Sequence, residues 1–449
     1  MELMNQRLLV KTVRRAVAAI AIASVGAGTL AADDDQTARL EQLEREVAEL
    51  KVQTNQSSTS LDRAAATNSN RFNPAVSVVL DGRFSRYQNH ADDYELPGFS
   101  LGGEAGLDEE GFNVGHTEII MSANVDDLFM GFLTFALADH EGEIEVELEE
   151  AYVETLGLGG GFTIRGGRFF SAVGYHNQKH AHAWDFADAP LIYEGLWGSA
   201  YYDDGVRLSW IAPTDLFIEV GTEALAGGQF PAGDEKAEVV GANTGFVNVG
   251  GDIGESLSWQ VGASYFEADT DETGGRSGGG HDHGGGGDEV PTFFGESETV
   301  GVSAIVKWAP SGNFKNQYIA LQSEYFEREE EGRVDMVGSS PLETTTLDGD
   351  QKGYYVQAVY QFRPQWRVGA RFDRVWSDNR GDDSDVIEEA GLSDEDHDPK
   401  RISGMVEYNH SEFSRIRLQY NHDDSYESSD SQWILQYTMS LGSHGAHSY

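Results

Sequence analysis

Apolar and polar side chains alternate along most of the chain after residue 74. In the last segment, for example, Trp433 and Leu435 share one face and Gln436 lies on the other. A period of two predicts a β-strand, because successive side chains of a strand point to opposite faces. Marking the segments of this kind predicts sixteen strands, at 75–88, 111–125, 128–140, 143–156, 162–170, 201–211, 216–225, 238–253, 256–268, 297–308, 314–328, 351–362, 366–378, 400–411, 415–426 and 431–441.

These strands predict an all-β fold, a transmembrane antiparallel β-barrel of about 16 strands. One face of each strand is apolar, with aromatic residues near the strand ends, and the other face is polar or charged. Long and short connections also tend to alternate, as in bacterial barrels with long external loops and short periplasmic turns. A soluble β-sandwich is the alternative, and it would explain neither feature. The long connections are 89–110, 171–200, 269–296, 329–350 and 379–399.

The first 31 residues have the pattern of an export signal. Arg7, Lys11 and Arg14 form a basic start, and residues 16–30 are an apolar run that is too short for a stable transmembrane helix. We therefore predict a signal peptide at 1–31 and an exported mature protein.

Residues 32–62 show a short heptad pattern. Leu40, Leu43, Val47 and Leu50 are spaced three and four residues apart, with charged residues on the other faces. This spacing predicts a short N-terminal coiled-coil helix in the periplasm, and a single amphipathic helix packed on the barrel is the alternative. A stretch rich in Ser, Thr and Asn at 63–73 predicts a linker. The barrel domain is then 74–449.

The composition is strongly acidic, and this limits the classes of partner that the chain can bind. The 449 residues carry a formal net charge of −45, which argues against a nucleic-acid partner and favours cations. The chain has no cysteine. After the signal it has no apolar run of about 18 residues, which excludes a helical membrane protein.

The alternation of apolar and polar residues stops between residues 171 and 200. We predict that this third long loop folds back into the barrel and narrows the pore. Its carboxylates Asp185, Asp188 and Glu194 would then face arginines of the inner wall and produce a transverse field. In a second interpretation, the arginines only pair with wall carboxylates and stabilise a charged lumen. The arginines predicted to point inward are Arg83, Arg165, Arg207, Arg367, Arg371, Arg415 and Arg417.

Histidines are the candidate metal ligands. His176, His180 and His182 form an H-x3-H-x-H pattern in the third loop, followed by Asp185. Imidazole together with carboxylate suits zinc or a similar divalent ion. The alternative is that these histidines only make hydrogen bonds within the loop.

Two further histidine groups follow along the chain. His281, Asp282 and His283 lie in a glycine-rich stretch, whose flexibility favours weak, exchanging capture of metal. His444 and His447 lie in the C-terminal tail, which the strand count places on the periplasmic side. The three groups together indicate metal binding more strongly than any one of them.

Three segments resemble one family of outer-membrane proteins. They are GRFFSAVGYHNQKHAHAWDFADAPL in the third loop, YYDDGVRLSWIAPT after it, and SLGSHGAHSY at the end. With the order of signal, coil, barrel, long third loop and terminal aromatic strand, the chain resembles the phosphate-selective porin superfamily of Gram-negative outer membranes. More narrowly, the three segments resemble its branch of zinc-regulated outer-membrane porins.

The resemblance implies a trimeric passive channel whose third loop folds into each pore. It also implies expression that is linked to zinc shortage. The chain departs from the phosphate-selective pattern in its dense acidity and its histidines, and it has no lysine-rich path for phosphate. This departure argues against anion selectivity.

The residues and the resemblance together predict a passive outer-membrane porin for small solutes that favours cations, with zinc or another divalent metal ion among them. One alternative is a general or anion-preferring porin with incidental histidines. Another is a structural protein that tethers the membrane to the cell wall through the N-terminal coil. An enzyme is not expected, since no G-x-S-x-G motif stands at a strand-to-helix turn. No cofactor is required apart from transient zinc, and the expected partners are small ions, outer-membrane lipid and further copies of the chain in a homotrimer.

Overall fold

The computed structural model describes residues 74–91, 94–140, 143–278, 289–425 and 429–442. The predicted signal peptide, coiled coil and linker lie outside the described residues, as do His281, Asp282, His283 and the histidines of the tail. Among the described residues, no helix has the length and the apolar run that crossing a bilayer would need.

The described part of the chain contains eighteen β-strands. They are β1 (Ala75–Arg86), β2 (Gly111–Val114), β3 (Thr117–Asn124), β4 (Phe129–His140), β5 (Glu143–Thr155), β6 (Phe162–Phe170), β7 (Tyr202–Ile211), β8 (Phe217–Leu225), β9 (Ala242–Ile253), β10 (Leu257–Asp269), β11 (Arg276–Ser277), β12 (Val290–Trp308), β13 (Tyr318–Val337), β14 (Glu343–Arg363), β15 (Trp366–Arg380), β16 (Lys400–Ser411), β17 (Ser414–Asp424) and β18 (Asp430–Gly442).

These strands form one closed antiparallel sheet. β2 and β3 both pair with β1 and act as one interrupted strand, and the two-residue β11 lies in a loop, so sixteen strands surround the barrel. The sheet closes because β18 pairs with β1, from Ser77 opposite Gly442 to Arg86 opposite Trp433. The predicted fold class, an antiparallel barrel of sixteen strands, is confirmed.

Within the described residues, the connections contain two short helices. α1 (Leu191–Trp197) belongs to the third long loop, and α2 (Ser384–Glu389) lies between β15 and β16. A single 3₁₀ turn at Ala181–Ala183 precedes α1. Both helices bury apolar side chains, which gives their short sequences the tertiary support that they need.

One predicted connection is wrong. The long loop expected at 329–350 is largely strand, because β13 continues to Val337 and β14 begins at Glu343. The charged residues of this stretch have the polarity of a loop, but its apolar side chains pack under α2. β12 likewise begins at Val290, seven positions before the predicted start at 297. The apolar cluster at this end consists of Phe293, Val334, Met336, Leu347, Val386, Ile387, Ala390 and Leu392.

The barrel has apolar side chains outside and polar side chains inside. On β18, Trp433 and Leu435 are 49 % and 43 % exposed, whereas Gln436 is 1 % exposed. Leu418 and Gln419 repeat this alternation on β17. An outer surface of this kind is stable only in an apolar surrounding, because exposed apolar area is costly in water. The protein is therefore a transmembrane barrel of the bacterial outer membrane.

Candidate functional site

The third long loop, residues 171–200, is here called the inserted loop. Asn177 holds its two ends together, since its side-chain amide donates to the carbonyl oxygens of Ser171 and Tyr201 at 2.8 and 2.7 Å. The oxygen of the same amide accepts from the Tyr201 backbone N–H at 2.7 Å. The chain therefore leaves the wall and returns to it at one point.

The second half of the inserted loop packs against the inner wall. Every residue of α1 is buried, and the rings of Tyr193 and Trp197 contact those of Phe326 and Phe266, at 5.4 and 5.3 Å between centroids. Gly198 caps the C-terminus of α1, and its φ of 57° lies in the left-handed region that favours glycine. Because the wall side chains that meet α1 point inward from β10 and β13, the inserted loop lies in the lumen.

Asp188 connects the middle of the inserted loop to the wall. It lies 2.9 Å from Arg371 on β15 and 3.0 Å from Arg401 on β16. Gln419 and Asn421 on β17 also donate to it, at 2.6 and 2.8 Å. Burial alone would raise the pKa of Asp188, but the two arginines outweigh it and lower the pKa from 3.8 to about 2. The carboxylate is therefore ionised at every physiological pH.

The other two carboxylates that the sequence placed in the constriction are also paired. Asp185 lies 2.9 Å from Arg367. Glu194 lies 3.0 Å from Arg401 and accepts a hydrogen bond from the Tyr94 hydroxyl at 2.7 Å. Burial raises the pKa of Glu194, and the attraction of Arg401 offsets this only in part.

The remaining arginines predicted to face the lumen pair with carboxylates, most of them on the wall. This arrangement supports the second interpretation, in which arginines stabilise a charged lumen. The pairs are Arg83 with Asp81 at 2.9 Å and Asp108 at 2.8 Å, Arg165 with Glu154 at 2.7 Å, Arg207 with Glu223 at 2.6 Å, and Arg415 and Arg417 with Glu407 at 3.9 and 2.8 Å.

The structure does not bring the three histidines of the inserted loop to one point. The ring of His176 packs against those of Trp184 and Tyr193, at 4.6 and 4.8 Å between centroids. Its backbone N–H donates to Glu324 on β13 at 2.9 Å. Burial lowers the pKa of His176 well below its usual value, and two nearby cations add to this effect. His176 is thus a neutral ring in an aromatic pocket, away from the partners of the other two histidines on β3 and β5.

His180 and His182 face glutamates of β3 and β5. His180 Nδ1 lies 3.2 Å from Glu149 Oε2 and 3.3 Å from Glu118 Oε2, and its Nε2 lies 2.9 Å from Glu150 Oε2. His182 Nδ1 lies 2.8 Å from Glu118 Oε1. Burial opposes a charged ring, but the surrounding carboxylates outweigh it and raise the pKa of His180 well above its usual value. These five residues are here called the Glu–His cluster.

A β-bulge in β5 directs two consecutive glutamates to the same ring. The register between β4 and β5 shifts between Thr134 and Phe135, and Glu149 is the extra residue. In a regular strand Glu149 and Glu150 would point to opposite faces, yet both are buried and both reach His180. The bulge therefore builds the Glu–His cluster.

Glu118, Glu150 and Arg401 are site residues that the sequence pattern did not indicate. Each is a charged residue at an inward position of a predicted strand. An ionisable residue on the lumen side of a barrel strand is the signal that could have found them. Their partners, in contrast, lie far away in the chain and left no local pattern.

No family model matches the chain. A protein of Aquifex aeolicus (strain VF5), described as uncharacterized, is 27 % identical to it over 411 residues, which cover 84 % of this chain and 80 % of that protein. Among solved structures, the outer-membrane expressed OmpT of Vibrio cholerae has a TM-score of 0.50 at 12 % identity, over 83 % of this chain and 99 % of that one. The outer membrane channel DcaP of Acinetobacter baumannii has a TM-score of 0.50 at 12 % identity, over 82 % of this chain and 97 % of that one. At such identities the likeness is one of fold.

Proposed function

We propose that this protein is a passive outer-membrane channel for small hydrophilic solutes and that its lumen favours cations. One observation carries the proposal: the arginines predicted to face the lumen pair with carboxylates, whereas Glu118, Glu149 and Glu150 on β3 and β5 have histidines as their ion-pair partners. The likeness in fold to a protein described as an outer membrane channel supports the passive transport of solutes.

The wall formed by β15, β16 and β17 is close to charge balance. Five arginines there are matched by six carboxylates of the wall and the inserted loop. Such paired charges produce little net potential in the lumen, so they provide no attraction for anions. The arginines are Arg367, Arg371, Arg401, Arg415 and Arg417, and the carboxylates are Asp185, Asp188, Glu194, Asp373, Glu407 and Asp423.

The buried glutamates of β3 and β5 have histidines, and not arginines, as their ion-pair partners. The ion-pair partners of Glu118, Glu149 and Glu150 are His180 and His182, so three carboxylates face two imidazoles. Even with both rings protonated, these five residues keep one negative charge in excess. A negative wall raises the local concentration of cations and favours their passage.

The narrower part of this proposal is that the favoured cations are divalent metal ions, zinc among them. The histidines and glutamates of the lumen are the ligand types that such ions prefer.

A homotrimer, which the resemblance implies, is a further part of the proposal. Chemical crosslinking of the protein in detergent tests it. We expect a ladder of crosslinked species that stops at three chains, and the absence of any species larger than one chain would contradict the trimer.

The test of selectivity is the zero-current potential across a planar bilayer that holds the refolded mature protein under a salt gradient. The measurement is made with a chelator, so that bound metal does not contribute. We expect a cation-selective current, and we expect the double variant Glu118→Gln/Glu150→Gln to reduce the selectivity. Glu412→Gln, in the exposed turn between β16 and β17, is the matched control and should leave it unchanged. An anion-selective current would contradict the cation preference, and the absence of any current would contradict the channel.

A further inference from the structure

Three donor atoms of the Glu–His cluster have the spacing of a metal coordination shell. Donor atoms of Glu118, Glu149 and His180 all lie within 4.8 Å of one another. The two distances from His180 Nδ1 to the glutamate oxygens are 3.2 and 3.3 Å. Ligands at about 2.0–2.1 Å around a tetrahedral zinc ion lie about 3.3 Å from one another. The three residues thus need little movement to share one ion.

One oxygen of this set is buried without a hydrogen bond. The Glu118 side chain is 0 % exposed, and its Oε2 accepts no hydrogen bond from the described residues. This atom lies 3.3 Å from His180 Nδ1, which also lies 3.2 Å from Glu149 Oε2. A buried carboxylate oxygen without a donor is unfavourable, and a cation between these atoms would satisfy it.

The surrounding residues orient the donors as in known metal sites. Glu150 accepts a hydrogen bond from His180 Nε2 at 2.9 Å, so Nδ1 is the nitrogen that can bind a metal, which would displace the proton of Nδ1. His182 contacts the other oxygen of Glu118 at 2.8 Å and fixes the orientation of that carboxylate. A carboxylate that holds a ligating histidine is a common outer-shell arrangement in zinc proteins.

We infer that Glu118, Glu149 and His180 bind one divalent metal ion of the zinc class, with Glu150 and His182 as positioning residues. The ion joins the inserted loop to β3 and β5, whereas Asp188 joins it to β15, β16 and β17. It therefore adds a second attachment of the loop to the wall. The site differs from the H-x3-H-x-H set that the sequence suggests, because it takes one histidine from the loop and two glutamates from the wall.

The test is zinc binding to the refolded mature protein in detergent. Because other histidines can also take up zinc, the measurements use a background in which His281, His283, His444 and His447 are Ser. Competition with a chromogenic chelator gives the stoichiometry and affinity, and the absorption spectrum of bound Co²⁺ reports a tetrahedral site. We expect one Zn²⁺ per chain and a tetrahedral Co²⁺ spectrum.

The variants separate ligands from positioning residues. His180→Gln should weaken zinc binding by about 100-fold or more, and Glu150→Gln, which keeps all three ligands, by about 10- to 100-fold. His410→Gln, on an exposed histidine of β16, is the matched control and should bind as the background does. Glu149→Gln is a second ligand variant, for use if His180→Gln does not refold, and should also weaken binding by about 100-fold or more.

A background protein that binds no zinc, or a His180→Gln or Glu149→Gln protein that binds it with unchanged affinity, would overturn the inference. This measurement involves no current, so its outcome is separate from that of the channel proposal. A protein that binds zinc and never conducts refutes only the channel, and one that conducts and binds no zinc refutes only the metal site.

Discussion

Asp188 accepts a hydrogen bond from Arg371 at 2.9 Å, and this contact joins the inserted loop to β15 on the inner wall. Arg401 on β16 reaches the other oxygen of the same carboxylate at 3.0 Å. One loop carboxylate is thus shared by two wall strands. It positions the loop as well as balancing charge, because both guanidinium groups are directed at it from a rigid sheet.

Asp188→Ala removes this shared partner and leaves the two buried arginines with one carboxylate fewer. Breaking a buried ion pair on one side costs about 3–5 kcal/mol, so we expect a lower urea midpoint for unfolding of the protein from lipid vesicles. Asp398→Ala removes the exposed pair with Arg374 and is the control, with an expected cost below about 1 kcal/mol. Equal losses in the two variants would show that Asp188 does not hold the loop.

The contribution of Asp188 to stability depends on pH. Its pKa falls from 3.8 to about 2 on folding, so the stabilisation is complete above the unfolded value and disappears as the pH falls through about 2. The difference in urea midpoint between the wild-type chain and Asp188→Asn should therefore be constant above a pH of about 5 and shrink between about 4 and 2. A difference that stays constant to the lowest pH would mean that the arginines do not hold this carboxylate ionised.

Gly198→Ala tests the close approach of the inserted loop to the first long loop. A Cβ at this position would lie 2.4 Å from the carbonyl oxygen of Gly102, whereas a Cβ on Gly391, which has a similar φ of 67°, would meet nothing within 4 Å. Both changes add the left-handed strain of about 1–2 kcal/mol, but only Gly198→Ala also displaces the backbone of the first long loop. We expect faster proteolytic cleavage within 89–110 in Gly198→Ala than in Gly391→Ala. Equal cleavage rates would argue against the contact.

Trp197→Ala tests whether α1 limits the ion path. The indole is buried in the lumen, so its removal should cost about 3–5 kcal/mol and increase the single-channel conductance. Trp433→Ala removes a ring of the same size from the outer, lipid-facing surface and should leave the conductance unchanged. If Trp197→Ala conducts like the wild-type protein, the ions do not pass beside α1.

Much of the fold could be predicted from the sequence, for a simple physical reason. Each barrel strand separates lipid from the lumen, so residues such as Leu435 and Gln436 must differ in polarity. The prediction failed at 329–350, where the sequence pattern indicates a loop. The structure instead continues β13 and begins β14 there, in a stretch without regular alternation of apolar and polar residues. In this stretch charged side chains lie on the outer surface and apolar side chains pack beneath α2. No lipid contacts this part of the strands, so nothing requires apolar residues on the outer face.

Less of the candidate site could be predicted. The loop carboxylates Asp185, Asp188 and Glu194 lie in the lumen and face arginines. The sequence pattern did not show that these arginines also pair with carboxylates of the wall. The histidine spacing suggested three ligands in one place, whereas His176 packs among aromatic rings. A spacing in a loop without regular structure does not determine distances, because the backbone between the histidines can take many paths.

The sequence by itself determined most of the strands, their inward and outward faces and the stretch of chain that interrupts them, because lipid and lumen impose a period of two on each strand and the inserted loop breaks it. Only the tertiary structure decided which side chains meet. Glu118 on β3 and Glu150 on β5 reach His180 through the register of the closed barrel and one extra residue in β5. Register and bulges depend on contacts between distant segments, and for that reason they leave no local pattern in the sequence.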